Sequence, residues 1–129
     1  MKTRYTVALS MIAGAVIGAV AIQGLHAQVS NRKAYTVSEL ETLDPAAQAA
    51  FTQLAQAALK AAGGRSFNTG GGKVVALEGA EPPKRVVINE WDSLAQAEAY
   101  YKSKAWTDLA PQRDKAIKTI RRYAVEAVN

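Results

Sequence analysis

The sequence contains no cysteine, and it has only one histidine and two methionines in 129 residues. His26 and both methionines, Met1 and Met11, lie within the first 27 residues. The rest of the chain therefore lacks the side chains for a Ser-His-Asp triad, a Cys-His pair, the usual zinc site or a haem held by His, Cys or Met. We expect no metal, no cofactor and no disulfide in a domain formed by that remainder.

The long apolar run is confined to the N-terminus, where it has the pattern of an export signal. Two basic residues precede an apolar run over residues 7–22, and Ala27 supplies a small residue for cleavage. We therefore expect an exported protein, periplasmic or secreted, with a signal peptide over residues 1–27. The alternative is a membrane anchor formed by residues 7–22, although these 16 residues are fewer than the roughly 20 that span a bilayer.

The positive charge is modest once this segment is set aside. The chain has 16 basic and 11 acidic residues, and Lys2 and Arg4 precede the apolar run, so residues 28–129 carry a net charge of +3. That value is ordinary for a soluble domain. We predict no nucleic-acid partner, and membrane contact only through residues 1–27 if they stay attached. We interpret the basic cluster near the C-terminus as a solvated face; it consists of Lys115, Lys118, Arg121 and Arg122.

Beyond a lead-in over residues 28–33, residues 34–128 show the pattern of one domain with alternating strands and helices. Strands are predicted where β-branched and aromatic residues alternate with polar ones; these are residues 34–41, 65–69 with 73–78, 84–91 and 119–128. One helix is predicted from Asp44-Pro45 to Gly63-Gly64, and a second after Ser93. Shorter helical segments are predicted around Trp106 and over residues 114–117.

This β-α-β-β-α-β order is typical of the ferredoxin-like α+β fold, with two helices on one side of a four-stranded antiparallel sheet. The helices can cover only one face of that sheet. The strands nevertheless carry apolar residues at both parities, such as Val86 and Ile88 on one side and Val87 and Trp91 on the other. We therefore predict that a second copy of the chain covers the other face, which makes the protein a homodimer.

Several short motifs, at specific spacings over residues 33–127, resemble the family of domain of unknown function 1330. They are Gly63-Gly64-Arg65, Gly71-Gly72-Lys73, Leu77-Glu78-Gly79, Pro83-Lys84-Arg85 and Glu90-Trp91-Asp92-Ser93. The resemblance implies a dimeric α/β barrel, in which two ferredoxin-like subunits press their sheets together. The chain departs from the family at Trp91-Asp92, where Phe-Pro is frequent. The family carries no assigned activity, so the resemblance implies a fold and little chemistry.

Arg65, Arg85 and Glu90 are the first candidate site residues. Around a pocket between sheet and helices, arginine can hold a carboxylate in a bidentate fork, and Glu90 or Glu78 can serve as a base. The alternative is that these charges form structural ion pairs or lie at exposed strand ends. Because Arg85 and Glu90 are five positions apart in a strand, we expect them to point to opposite faces.

Three aromatic residues, Tyr35, Tyr101 and Trp106, are candidates for the wall of an apolar ligand pocket, with core or interface packing as the alternative. The leading hypothesis is an exported domain that binds a small organic molecule, with cofactor-free acid/base chemistry as its extension. The alternative is a non-catalytic homodimeric envelope or assembly protein. A concave site with converging polar groups would distinguish the first from the second.

Overall fold

In the computed structural model, residues 32–128 form an antiparallel sheet with helices between its strands. The model describes these residues only, so the predictions for the signal peptide and the membrane anchor lie outside the described part. The elements are β1 (Ala34–Thr42), α1 (Pro45–Ala61), β2 (Arg65–Ser66), β3 (Arg85–Trp91), α2 (Leu94–Lys102), α3 (Lys104–Thr107), α4 (Ala110–Ala116) and β4 (Ile117–Glu126). None of the helices within residues 32–128 is both long and apolar enough to cross a bilayer.

The sheet has the strand order β2-β3-β1-β4 with every neighbouring pair antiparallel. This order confirms the predicted ferredoxin-like α+β fold. The central strand β1 pairs along its length with β3 and β4. Its register with β4 shifts between Glu39 and Leu40, which lie opposite Arg121 and Thr119. Ile120 therefore has no residue opposite it, and β4 contains a one-residue β-bulge there.

Helix α1 begins and ends as the sequence predicts. The Asp44 carboxylate accepts hydrogen bonds from the amides of Ala46 at 3.0 Å and Ala47 at 3.1 Å, and Pro45 occupies the first turn. Gly63 follows the helix with φ of +89°, a conformation that glycine adopts without the strain of a Cβ atom. The chain thus leaves α1 in a fixed direction and enters β2.

Helix α2 is capped by Ser93, whose hydroxyl accepts a hydrogen bond from the Gln96 amide at 3.1 Å. The Gln96 side chain also connects two parts of the fold. Its oxygen accepts from the Asp92 amide at 2.9 Å, and its nitrogen donates to the Ala62 carbonyl at 3.1 Å. The start of α2 is therefore held against the end of α1.

The covered face of the sheet packs against the helices and contains the core. In β1 the side chains of this face are Ala34, Thr36, Ser38 and Leu40, all buried. Opposite Ala34 lies Trp91, which is fully buried and whose Nε1 donates to the Thr36 hydroxyl at 3.1 Å. A Cβ at Gly64 would lie 2.9 Å from the Trp91 ring, so only glycine allows this approach.

The open face of the sheet carries the alternate side chains and has no helix over it within residues 32–128. Its apolar members are Tyr35, Val37, Val86, Ile88, Phe67, Tyr123 and Val125. Tyr35 stacks on Phe67 with ring centroids 6.0 Å apart, and Tyr123 is 46% exposed. The strands are therefore apolar on both sides, as their sequences predict.

The prediction of a strand over residues 73–78 is wrong, because these residues form no strand in the structure. Strand β2 covers only Arg65–Ser66. Beyond it, the Thr69 hydroxyl bonds to β3 in place of a backbone group. It donates to the Val86 carbonyl at 2.7 Å and accepts from the Ile88 amide at 3.1 Å. The chain then turns at residues 69–72 and runs without a strand to β3. A strand needs a hydrogen-bonded neighbour, and β3 offers no free positions for residues 73–78. Val75 and Leu77 are consequently 59% and 94% exposed.

Candidate functional site

A cavity of about 270 Å³ lies between the covered face and the helices. Its apolar wall includes Leu40, Phe51, Leu59 and Trp106, which come from the two core clusters. The turn at Gly70 and Gly71 also lines it. The cavity is thus built by β1, β3 and β4 below, by α1, α2 and α3 above, and by the segment that follows β2.

Arg122 of β4 enters this cavity from the strand position opposite Ser38. Its Nε donates to the Ser38 hydroxyl at 2.8 Å, and its guanidinium carbon lies 4.7 Å from the ring centroid of Trp106 and 5.1 Å from that of Tyr101. Its two terminal nitrogens form no hydrogen bond or ion pair with a described residue. Burial lowers the pKa of Arg122, because desolvation disfavours the charged form. The guanidinium is therefore a fixed, partly desolvated cation without a carboxylate neighbour.

Arg85 of β3 also lines the cavity, but neutral oxygens occupy its donors. Its Nη1 donates to the Gly70 carbonyl at 2.6 Å. With its amide oxygen toward Arg85, Gln48 accepts from Nη2 at 2.7 Å and Nε at 3.0 Å, and its nitrogen donates to the Thr42 hydroxyl. Burial lowers the pKa of Arg85 as well. Arg85 therefore ties the Gly70 turn and the start of α1 to the sheet around the cavity.

Tyr100 of α2 lines the cavity and has a buried hydroxyl. The residue is 4% exposed, and its hydroxyl has no hydrogen-bond partner among the described residues. Burial raises the pKa of Tyr100 to about 12, so the hydroxyl stays protonated at neutral pH. Asn89 of β3 is also buried at the cavity wall. The cavity wall thus combines apolar and aromatic residues with polar side chains.

The sequence-predicted site residues divide between the two faces. Arg85, Tyr101 and Trp106 line the cavity, and Tyr35, Arg65 and Glu90 lie on the open face. A pocket formed by Arg65, Arg85 and Glu90 together is therefore wrong. Arg85 and Glu90 point to opposite faces, as their spacing predicts. Glu78 lies in the exposed segment before β3 and does not line the cavity.

Glu90 is held in an ion-pair network on the open face. It accepts hydrogen bonds from Lys33 Nζ at 3.0 Å and Arg65 Nε at 2.8 Å, and Arg65 also pairs with Asp92 at 2.9 Å. The hydrogen bonds from Lys33 and Arg65 lower the pKa of Glu90. An ionised carboxylate with two cationic partners is a structural ion pair, which is the alternative that the sequence left open.

Two residues that the sequence analysis did not select complete the cavity wall. Arg122 was assigned to a solvated basic face, and that assignment is wrong because its half-buried side chain packs against Ser38, Tyr101 and Trp106 under the helices. Consecutive strand residues point to opposite faces, so one of Arg121 and Arg122 had to point toward the helices. Tyr100 follows Ala97 by three positions, which places both on the inner side of α2.

A protein-family model described as Domain of unknown function (DUF1330) matches residues 33–128. No curated protein matches the chain. Among solved structures, a protein of unknown function from Rhodopseudomonas palustris is 16% identical with a TM-score of 0.60, and the match covers 82% of this chain and 93% of that one. This likeness supports the fold.

Two further structures are putative antibiotic biosynthesis monooxygenases. The one from Chloroflexus aurantiacus is 15% identical with a TM-score of 0.43, covering 75% of this chain and 94% of that one. The one from Nitrosomonas europaea is 12% identical with a TM-score of 0.44, covering 77% and 90%.

Proposed function

The chain belongs to the family of Domain of unknown function (DUF1330), and we propose that it binds a small organic molecule in the cavity beneath its helices. The observation that carries the proposal is an arginine that lines this cavity without a carboxylate partner among residues 32–128. The terminal nitrogens of Arg122 form no hydrogen bond or ion pair with these residues. A guanidinium in partly apolar surroundings is attracted to an acceptor more strongly than it is in water, so a ligand that supplies acceptors would stabilise the fold.

The size and lining of the cavity fit a small ligand with an apolar body. A volume of about 270 Å³ holds about nine water-sized groups. The rings of Phe51 and Trp106 lie 6.3 Å apart in an edge-to-face arrangement at this wall. Pockets that bind organic molecules combine an apolar wall with fixed polar groups, and this cavity has both, since Leu40 and Leu59 line it together with Asn89 and Arg122.

The proposal is for binding and does not extend to proton transfer by Glu90 or Glu78. Neither carboxylate lines the cavity, and Glu90 faces the opposite side of the sheet. The Tyr100 hydroxyl stays protonated at neutral pH, so it can donate a hydrogen bond but cannot serve as a base. The groups around the cavity are thus suited to holding and orienting a ligand.

Filling the cavity tests the proposal. Ala55 of α1 lines the cavity, and Ala57 on the same helix is exposed. We expect thermal-shift screening to find stabilising small molecules, with a gain of about 2.7 kcal/mol at 100 times Kd. Ala55→Phe should abolish these shifts and Ala57→Phe should retain them. Equal responses of the two variants, or no stabilising molecule in a broad screen, would favour the non-catalytic assembly protein.

We propose further that the open face binds a second copy of this chain. The face exposes Phe67, Tyr123 and Val125, and Tyr35 and Val37 of β1 lie on the same face. An exposed apolar sheet face of this kind is typical of an interface. Light scattering should show a dimer for the wild type and for Leu54→Glu on α1, and a monomer for Tyr123→Glu. A wild-type monomer at micromolar concentration would contradict the homodimer.

Export is the third part of the proposal, and it is supported by the sequence pattern of residues 1–27. We expect the chain mass of protein collected from the periplasm or medium to correspond to cleavage after Ala27. An intact N-terminus in the membrane fraction would favour the anchor instead. Native mass spectrometry of the same sample would also report the assembly mass and any bound small molecule.

A further inference from the structure

Resting on the proposed function, we infer that the ligand is a small carboxylate, bound through the terminal nitrogens of Arg122 with its apolar body against Phe51 and Trp106. The inference names the chemical class of the ligand and the residue that selects it. It depends on three properties of the cavity, which are its charge, the available nitrogens of Arg122, and the apolar wall beside them.

The charge of the cavity wall is positive and uncompensated by its own residues. Arg85 and Arg122 are among the residues that line it, and none of those lining residues is acidic. The other arginines of residues 32–128 each lie within 4.0 Å of a carboxylate; they are Arg32, Arg65, Arg113 and Arg121. Among the arginines of residues 32–128, only the two that line the cavity lack a carboxylate within 4.0 Å, so the cavity is where an anion from outside would bind.

Arg122 is the better of the two anion ligands, because its terminal nitrogens are available. The donors of Arg85 are directed at Gly70 and Gln48. In Arg122 only Nε is engaged, by Ser38, and the guanidinium carbon lies 5.1 Å from the Tyr101 ring centroid and 4.7 Å from that of Trp106. The two remaining nitrogens match the two oxygens of a carboxylate, which a planar guanidinium binds as a fork.

The rings beside Arg122 favour an organic anion. The guanidinium carbon of Arg122 lies 4.7 Å from the Trp106 ring, and the Tyr100 ring lies 5.7 Å from the same ring. This apolar wall suits an organic body, which an inorganic anion does not have.

Desolvation explains why the anion would matter energetically. Burial lowers the pKa of Arg122, so the empty cavity holds a charge that has lost part of its hydration. A carboxylate beside it would offset that penalty, and the attraction is stronger in apolar surroundings than in water. Neutral ligands of the same shape would gain the apolar contacts only.

The two tryptophans allow a direct test with benzoate and its neutral counterpart benzamide. Titrations of ¹⁵N-labelled full-length protein would follow the indole N–H resonances, with Trp91 as an internal reference because it donates to Thr36 and does not line the cavity. We expect benzoate to shift the Trp106 resonance with a Kd at least about tenfold lower than that of benzamide. This comparison uses the wild type and depends on no variant.

A matched pair of arginine variants then assigns the selectivity. Arg122 and Arg113 each lie 4.7 Å from the Trp106 ring, but Arg113 does not line the cavity. Arg122→Gln should remove the preference for benzoate, and Arg113→Gln should retain it although it removes the same charge from the same ring. Arg122→Lys should keep a reduced preference, since it keeps the charge and loses the fork.

The outcomes separate the inference from the proposed function. Benzamide binding as tightly as benzoate would overturn the carboxylate and leave a small-molecule cavity in place. Inorganic phosphate shifting Trp106 as strongly as benzoate would also overturn it, in favour of a general anion site. A preference that survives in Arg122→Gln would overturn the assignment to Arg122. No response to benzoate or benzamide at millimolar concentration would overturn the inference and count against the proposed function.

Discussion

The two faces of the sheet differ in whether their lysine and arginine side chains are paired with carboxylates. On the open face, Lys33 and Arg65 share Glu90, and Arg121 pairs with Glu39. On the covered face, Arg85 and Arg122 are directed at a carbonyl, an amide, a hydroxyl and aromatic rings. The open face thus forms ion pairs within the chain, whereas Arg85 and Arg122 on the covered face have no carboxylate partner among residues 32–128. We place the proposed ligand at this difference, which no sequence motif marks.

The covered face contains the same contrast on a smaller scale. The Trp91 indole and the Thr36 hydroxyl satisfy each other at 3.1 Å, and Tyr100, whose ring lies 5.1 Å from Trp91, has an unpartnered hydroxyl. Trp91 and Tyr100 belong to the same core cluster. The Trp91 indole N–H is satisfied within the protein, whereas the Tyr100 hydroxyl has no hydrogen-bond partner among residues 32–128.

The largest expected difference between the faces is in packing. Trp91→Ala on the covered face should lower the free energy of unfolding by about 3–5 kcal/mol, because it removes a fully buried ring. Tyr123→Ala on the open face should cost less than about 1 kcal/mol per isolated subunit. Urea unfolding at two protein concentrations measures both. Only the Tyr123 effect should depend on concentration, and equal costs in dilute protein would contradict the distinction between the faces.

The paired polar atoms should be the next most sensitive. Thr36→Val keeps the shape of the side chain but leaves the Trp91 indole N–H unsatisfied, at a cost of about 1–3 kcal/mol. Thr36→Ser retains the hydroxyl and is the control, with a smaller loss from the missing methyl. Urea midpoints at constant m-value report the difference. A Thr36→Val protein as stable as the wild type would mean that this hydrogen bond contributes little.

The unpaired hydroxyl should respond in the opposite direction. Tyr100→Phe removes a buried group without a partner, so the ligand-free protein should be unchanged or stabilised by up to about 1 kcal/mol. Because burial raises the folded pKa of Tyr100 from its ordinary value of 10.0 to about 12, the stability of the wild type should fall as pH rises from 10 toward 12. Thermal melts between pH 8 and 12 should show a shallower alkaline decline for Tyr100→Phe. A destabilised variant at pH 7 would indicate that the hydroxyl is paired.

The smallest expected effect is the acid dependence of the open-face ion pairs. Hydrogen bonds from Lys33 and Arg65 lower the folded pKa of Glu90 below its ordinary value of 4.5. Its contribution is therefore present above about pH 4.5 and is lost as pH falls through the lowered pKa. Melting temperatures between pH 3 and 6 should fall less steeply for Glu90→Gln than for the wild type. Parallel pH profiles would show that Glu90 does not contribute to acid stability.

Local rules were sufficient for much of the fold. Asp44, Gly63 and Ser93 mark helix boundaries because capping depends on neighbouring residues, and these boundaries are confirmed. The opposite orientation of Arg85 and Glu90 follows from strand pleating alone. The element order therefore followed from the sequence without knowledge of tertiary contacts.

The errors arise where tertiary partners decide the outcome. Residues 73–78 have strand composition, but Phe67 and Thr69 already occupy the β3 edge there. Arg122 was assigned to solvent together with the other residues of the basic cluster. Alternation counted from Ile117 would also have placed it outside, because the irregularity at Ile120 reverses the pattern. Tyr100 was missed because helical spacing alone allows both Tyr100 and Tyr101 on the side of Ala97.

The irregularity at Ile120 has a consequence for how β4 tolerates changes in length. Loss of the Ile120 codon would remove the one residue of β4 that has no partner residue on β1. Ile117 could then stay opposite Thr42 and Arg122 opposite Ser38. Loss of the Ala124 codon would instead move Val125 from the open face to the position opposite Thr36, where Ala124 is exposed. We expect the first in-frame deletion to yield a protein that still binds benzoate, and the second to weaken the dimer because it removes Val125 from the open face, which light scattering would reveal. Because of the extra residue at Ile120, Ile117 and Arg122 both face the helices although they are five positions apart in the sequence.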